Sequence, residues 1–342
     1  MTGPEQKEKL ERYSRQMLLP QFGAKGQEAL SAARVAVLGA GGLGSFSASF
    51  LVRAGVSFVR IVDRDLVELS NLHRTALFDE NDVGDPKVEA LARRLSRINS
   101  EVTVDPQVAD VNAWSILQLI EDVDLVVDGF DNMEARYILN DAAVSLGIPW
   151  IYAGTIGSDA TVMSIIPGQG PCLRCVLPEL PPPGALPTCE TVGVLPVAPA
   201  FAASFQVKEA LNVLLGKGRP GRLHSFDLEG DRFQTADIEA SPQCPTCTHR
   251  NFEFLNQDSG TRAVSLCGRK AVHIHPRKPS LLDLKRLAEE LSATYKTSYN
   301  GSYLSVVADG LETIVFKDAR AMVKGTRDVE QAKSIYSRLV GM

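Results

Sequence analysis

Residues 34–44, Arg-Val-Ala-Val-Leu-Gly-Ala-Gly-Gly-Leu-Gly, constrain this chain more than any other stretch. An apolar run over 34–38 enters Gly39-Ala-Gly41-Gly42-Leu-Gly44, and an apolar helical pattern follows over 43–54. Strand, glycine turn and helix are the first half of a βαβ unit. A second strand, 58–62, ends at Asp63, nineteen residues after Gly44, where an acid that holds a nucleotide ribose is expected. Glycine lets the backbone approach phosphate, and a helix N-terminus offers unpaired N–H groups and the positive end of its dipole. The pattern predicts a nucleotide site with phosphates at Gly39, Gly41, Gly42 and Gly44, and the sugar at Asp63.

The alternation continues. Helix 87–98 places Val88, Leu91, Leu95 and Ile98 on one face, and a short strand follows over 102–105. Residues 124–128 read as a buried parallel strand, 134–146 as a helix and 149–152 as a strand. From about Thr161 the pattern changes to extended pieces, proline-rich loops and one long helix, 198–215. The sheet is expected to become mixed or antiparallel there, with strands near 222–228 and 233–238. These features divide the chain into a Rossmann-like α/β domain over 1–250, a polar linker over 251–261 and a small α+β domain over 262–342. The last is read as strands 263–266, 271–275, 303–307, 313–316 and 321–323 with helices 281–291 and 329–340.

Composition narrows the setting. The most membrane-like stretch, 192–205, is fourteen residues long and holds Pro196 and Pro199, whereas a spanning helix needs about 20 apolar residues. The first eleven residues lack the apolar core of a secretory signal, so a cytoplasmic protein is expected. Residues 1–250 carry 22 Lys/Arg and 31 Asp/Glu, a net charge of −9, and residues 251–342 carry 14 and 10, a net +4. A tail at +4 is too weak a signal to indicate nucleic acid.

Three groups of residues carry chemistry. Asp63, Asp65, Asn71, His73, Arg74 and Lys87 lie downstream of the glycine turn, and a triphosphate needs cations such as Arg74 and Lys87 beyond what backbone N–H groups supply. At the end of strand 124–128, Asp128, Asp131 and Asn132 can either cap the next helix or face a ligand; Asp131 is assigned Mg²⁺. Cys172-x-x-Cys175 and Cys244-x-x-Cys247 match a tetrahedral Zn²⁺ site in a reducing compartment. Four thiolates leave no open position, so that zinc is structural. Cys189, in a polar loop after Pro181-Pro-Pro-Gly184, is either an accessible nucleophile or a bystander, with Glu190 raising its pKa. Cys267 reads as a bystander.

Together these residues resemble the ThiF/MoeB family of adenylyltransferases, which are similar to the core of ubiquitin-activating enzymes. The resemblance covers roughly 13–247 and rests on Arg12-Tyr-Ser-Arg15-Gln16, Gly39-Ala-Gly-Gly-Leu-Gly44, Asp63-Arg-Asp65, Ser70-Asn-Leu-His-Arg74, Gly84-Asp-Pro-Lys87, Asp131-Asn132, Thr188-Cys189 and the two cysteine pairs, in the family's order. His73, Thr75 and Asp85 depart from its usual residues but leave every cation in place. The resemblance implies ATP at the glycine turn, ribose at Asp63, phosphates at Asn71, Arg74 and Lys87, and Mg²⁺ at Asp131, with Asp65 and Asn132 in the nucleotide site. It also implies a homodimer in which Arg15 reaches the other subunit's ATP. The implied substrate is the C-terminal glycine carboxylate of a small ubiquitin-like sulfur carrier ending in Gly-Gly. The product is an acyl-adenylate for thiamin, molybdopterin or related biosynthesis. The tail is too short for a rhodanese domain, so a separate sulfur donor is implied, and Cys189 resembles a thiol that links to the carrier. Two rival readings stand beside this one. An NAD-dependent oxidoreductase would explain the glycines and Asp63 but not Arg74, Lys87 or the cysteines, and a non-catalytic binder of ubiquitin-like proteins would not need the nucleotide ligands.

Overall fold

The computed structural model describes residues 10–182, 185–256, 262–265, 270–276 and 281–340. The proline-rich positions 183–184, the linker residues 257–261, and 266–269 with Cys267 lie outside the described residues. The chain forms two compact units, Met1–Asn256 and Gln257–Met342.

The first unit is built on an eight-stranded sheet in the order β3-β2-β1-β4-β5-β6-β7-β8. Its strands are β1 Arg34–Leu38, β2 Phe58–Asp63, β3 Thr103–Val108, β4 Leu125–Asp128, β5 Trp150–Ile156, β6 Asp159–Ile165, β7 Arg222–Asp227 and β8 Arg232–Asp237. Pairing is parallel from β3 to β5 and antiparallel from β5 to β8, so the sheet is Rossmann-like at one side and antiparallel at the other. The main helices are α1 Gly23–Ala32, α2 Gly42–Ala54, α3 Lys87–Ile98, α4 Met133–Leu146 and α5 Ala198–Leu214.

Alternation along β1 explains the layers. Val35 and Val37 join the core formed with α1, α2, α3 and α5, while Ala36 and Leu38 join the core formed with α4 on the opposite face. With both faces covered, the central strands β1 and β4 are apolar and buried over Val35–Leu38 and Leu125–Val127, while the parallel edge strand β3, Thr-Val-Asp-Pro-Gln-Val, is polar and partly exposed. The stripe Val88, Leu91 and Leu95 of α3 is fully buried. Helix α4 starts where Asn132 Oδ1 accepts the Ala135 N–H at 2.9 Å and ends at Gly147 in the left-handed region, φ +74°. Residues 252–255, expected to begin the linker, instead pack on this unit. Phe254 is buried, lies 5.0 Å edge-on to Tyr137, and donates its N–H to Asp141.

The second unit is a six-stranded antiparallel sheet, β11-β12-β13-β14-β10-β9, covered by α6 Leu284–Ser292 and α7 Val329–Val340. Its strands are β9 Arg262–Ser265, β10 Ala271–His275, β11 Lys296–Tyr299, β12 Tyr303–Ala308, β13 Leu311–Phe316 and β14 Ala321–Lys324. Val272, Ile274, Leu304, Val306, Val315 and Val323 form one core with Leu284 of α6 and with Ala332, Ile335 and Leu339 of α7. Among the described residues no helix is long and apolar enough to cross a membrane.

Candidate functional site

The chain runs from β1 through β2 to β3 on one side and then crosses back to β4 on the other side of β1, which makes the carboxyl ends of β1 and β4 the switch point where open α/β sheets bind ligands. Two strand ends meet here at close range. Gly39 has φ +101°, and a Cβ there would stand 2.3 Å from the Gly129 carbonyl oxygen; one on Gly44 would stand 1.7 Å from the Gly39 carbonyl. Only glycine fits at either position. At Gly41 the same Cβ would meet nothing within 4 Å, so this part of the turn is open to a ligand.

Asp63 braces the turn. One of its oxygens accepts the Ala40 N–H at 2.7 Å and the other the Asp65 N–H at 2.7 Å. Each oxygen keeps a second lone pair. Lys87 Nζ lies 3.1 Å from Asp65 Oδ2. Burial pulls the lysine pKa down, but Asp63, Asp65 and Asp131 outweigh it and hold the ammonium above its ordinary value. Asp131 is exposed, and its charge acts on Arg64, Lys87, Arg136 and Cys189 alike, so these groups gather around one carboxylate. Arg74 ends a 3-10 turn, Leu69–Arg74, whose last carbonyl oxygen is 3.3 Å from the Cβ position at Gly42. Arg74 is half-buried as a residue, and its guanidinium donates to the Ser70 carbonyl at 2.7 Å in an exposed hydrogen bond.

Other expected ligands serve the scaffold. Asn71 is buried, and its Oδ1 accepts the Glu68 N–H at 3.3 Å, closing the capping box of that 3-10 turn. Asn132 caps α4. Two arginines not singled out in the sequence belong to the site's walls. Arg136 is buried; its Nε donates to Asp128 at 2.8 Å and its Nη2 to the carbonyls of Phe130 and Ala153, both at 2.7 Å. Arg64 pairs with Asp110 at 2.8 Å. Asp128 itself is fully buried and also accepts the Phe130 N–H at 2.8 Å, so it is a fixed part of the β4 edge.

Cys189 lies near this edge on a capped turn, Cys189–Val192, in which Thr188 accepts the Thr191 N–H. The segment after it is fastened by Gly157 N–H to the Gly193 carbonyl at 3.1 Å and by Leu195 N–H to the Gly157 carbonyl at 2.8 Å. The thiol is half-buried and donates to the Thr155 carbonyl at 3.5 Å. Burial pushes its pKa up, with Asp131 adding to that, while Arg74 and Arg136 pull it down. The cations absent beside it in sequence are therefore supplied by the fold.

Arg15 stands apart. It is exposed on the turn Ser14–Met17, where Gln16 Nε2 donates to the Ala54 carbonyl at 3.0 Å and Tyr13 packs on Gly55. That is the C-terminal end of α2, whose N-terminus forms the glycine turn. Thirteen helical residues span about 18 Å, more than an arginine side chain can reach.

The four cysteine Sγ atoms lie within 4.8 Å of one another, with Cys172–Cys244 at 3.5 Å and Cys175–Cys247 at 3.4 Å. A tetrahedron of Zn–S bonds of about 2.3 Å has edges of about 3.8 Å, so this donor set fits a tetrahedral, thiolate-bound ion. Hydrogen bonding from Cys172 holds Cys175 down to about 4, and burial with neighbouring thiols pushes Cys247 up to about 11. Helix α4 supports both knuckles: Asn140 accepts the Leu173 N–H at 2.9 Å and Asp141 the Thr246 hydroxyl at 2.8 Å.

A family model, that of the ThiF family, matches residues 13–246. The chain belongs to the ThiF family. Over 336 residues, 96% of this chain and 99% of the relative, it is 43% identical to the sulfur carrier protein ThiS adenylyltransferase of Bacillus subtilis. It is also 43% identical over 248 residues to the sulfur carrier protein adenylyltransferase of Thermus thermophilus, covering 70% of this chain and 92% of that one. Among solved structures, E. coli MccB with ATP has a TM-score of 0.60 at 24% identity, covering 69% of this chain and 74% of that one, and shares its fold. The ThiF-family match takes in the glycine turn and three of the four paired cysteines, Cys172, Cys175 and Cys244, and the Bacillus alignment runs on through the second unit.

Proposed function

We propose that this chain adenylates the C-terminal glycine carboxylate of a small ubiquitin-like sulfur-carrier protein with ATP. A carboxylate oxygen attacks the α-phosphorus, the bond from that phosphorus to the bridging oxygen of the β-phosphate breaks, and pyrophosphate leaves with the electron pair. The observation that carries the reading is that Lys87 is held among Asp63, Asp65 and Asp131, with Arg74 packed against Gly42 of the glycine turn, in a chain whose relatives are named as sulfur-carrier adenylyltransferases. An NAD-dependent oxidoreductase would use the glycine turn and Asp63 but leave that cluster without a task.

In this reading Gly41 and Gly42 admit the phosphates, Asp63 takes the ribose hydroxyls with its remaining lone pairs, and Arg74 and Lys87 stabilise charge on the phosphates as the bond breaks. Lys87 arrives already held by Asp63 and Asp65, which fixes its position and its charge. Asp131 has oxygen lone pairs to spare and is the residue proposed to hold Mg²⁺, which when bound neutralises phosphate charge. The ion proposed for the four thiolates is structural Zn²⁺. In the proposed homodimer Arg15, beside the far end of α2 and out of reach of its own chain's glycine turn, would meet the nucleotide of the second copy. All these residues precede Asn256, so the first unit is the adenylation domain.

Carrier-dependent exchange of labelled pyrophosphate into ATP tests the reading. Exchange that requires the carrier's terminal glycine supports it, and its absence with a set of Gly-Gly carriers refutes it.

A further inference from the structure

At the far end of α5 the helix, the loop that follows it and β7 enclose a cleft of about 360 Å³, lined by Lys208, Glu209, Lys217, Arg219, Arg222 and His224. It is separate from the nucleotide turn. Helix α5 begins at that turn, with the Pro199 Cβ 3.2 Å from the Cβ position at Gly42, and the first of its residues to line the cleft, Lys208, comes about 15 Å further along the helix.

Four full cations line the cleft with one carboxylate, Glu209, which is spent inside the protein, and a second carboxylate, Asp237, stands beside Arg222. Glu209 is buried, accepts the Ser164 hydroxyl at 3.2 Å, pairs with Lys208 and lies 3.5 Å from His224 Nε2. Arg222 is matched by Asp237 at 2.8 and 3.0 Å. Lys217 reaches only a neutral partner, the Gln21 carbonyl at 2.8 Å. The Arg219 carbonyl accepts the Arg222 N–H at 3.5 Å, while its exposed side chain has no hydrogen bond or ion pair among the described residues and acts on Asp237 through its charge alone. His224 Nε2 is shielded from solvent without a hydrogen bond, since 3.5 Å to Glu209 is too long for a firm one. The cleft thus keeps excess positive charge and unused donors, and low-dielectric walls focus the field of such charges.

We propose that this cleft binds a small, multiply charged oxyanion. Guanidinium and ammonium groups suit phosphate or carboxylate oxygens through charge-assisted hydrogen bonds. The volume lies within the range of small-molecule sites and is too small for a folded partner. Two sources share this chemistry, a phosphate compound and a polycarboxylate.

The test is calorimetry on the full-length protein at low ionic strength, with the nucleotide site saturated by a non-hydrolysable ATP analogue. Inorganic pyrophosphate and citrate are titrated separately. The expected result is one further equivalent of at least one anion, weakened at least about tenfold in Lys217→Ala/Arg219→Ala, whose thermal stability stays unchanged. Arg219→Lys should retain most of the affinity. Saturation by pyrophosphate assigns the phosphate class and saturation by citrate the polycarboxylate class. No further equivalent of either anion at millimolar concentration, or undiminished binding by the double variant, overturns the proposal.

Discussion

Helix α4 joins two regions that treat polar residues in opposite ways. At its N-terminus Asp131, Lys87 and Arg74 form a partly exposed edge in which the scaffold uses some hydrogen-bonding capacity and leaves the rest free. Toward its other end Asn140 and Asp141 grip two knuckles whose four thiols have chiefly one another. The open edge can lose a charged group and keep its fold, because backbone contacts build it. The closed cluster is expected to respond otherwise, because a bound ion would join 172–175 directly to 244–247, 72 residues apart, where α4 otherwise links them through Asn140 and Asp141.

The largest expected effect is on the closed side. Zinc analysis should find about one ion per chain, and Cys172→Ser or strong chelation should abolish cooperative thermal unfolding, since binding energy at such sites is on the order of 10 kcal/mol and is also folding energy. A metal-free protein with an unchanged melting curve would erase the distinction between the two regions. On the open side, Arg74→Ala and Asp131→Ala should each lower carrier-dependent exchange by about 100-fold or more with Tm nearly unchanged, the scale for loss of a positioned charge. Loss of stability in place of activity would place them with the scaffold.

A smaller effect lies outside both regions. Burial lowers the pKa of His224, with Lys208 and Arg222 acting the same way and Glu209 opposing them. A group whose folded pKa is depressed contributes stability that is present above its unfolded value, about 6.5 for histidine, and lost as pH falls through the folded value. Wild-type Tm should therefore fall more steeply than that of His224→Gln as pH drops below about 6.5; parallel curves would remove the histidine from the balance. The smallest effect on adenylation belongs to Cys189→Ala, because the thiol is hydrogen-bonded to the Thr155 carbonyl and none of the proposed nucleotide ligands is touched. Exchange should be unchanged, while any carrier conjugate on non-reducing gels should disappear. A conjugate that survives in the variant would clear Cys189 of that role.

Much of both regions was legible in the sequence because the chemistry is local. The glycine turn follows from φ at Gly39 and close approach at Gly44, and the knuckles follow from cysteine spacing. What was not legible depends on long-range contact. Arg136 reads as a surface residue of a helix until Asp128 and Ala153 are brought beside it. Asn132 at a strand-to-helix turn reads equally as ligand or cap. Phe254 lies in a stretch without periodicity and is buried only because Tyr137 and Asp141 await it. β6 and β11 carry no clear boundary signal either: β6 falls where the pattern changes to extended pieces, and β11, Lys-Thr-Ser-Tyr, is a polar edge strand without an apolar alternation.

The most direct measurement is the mass of a Gly-Gly carrier after incubation with the protein, ATP and Mg²⁺. The expected result is a carrier heavier by one adenylyl group, formed with intact carrier and abolished when its terminal glycine is removed. A carrier that never gains that mass, in a protein thermally stabilised by NAD but not by ATP with Mg²⁺, would contradict adenylation at the glycine turn.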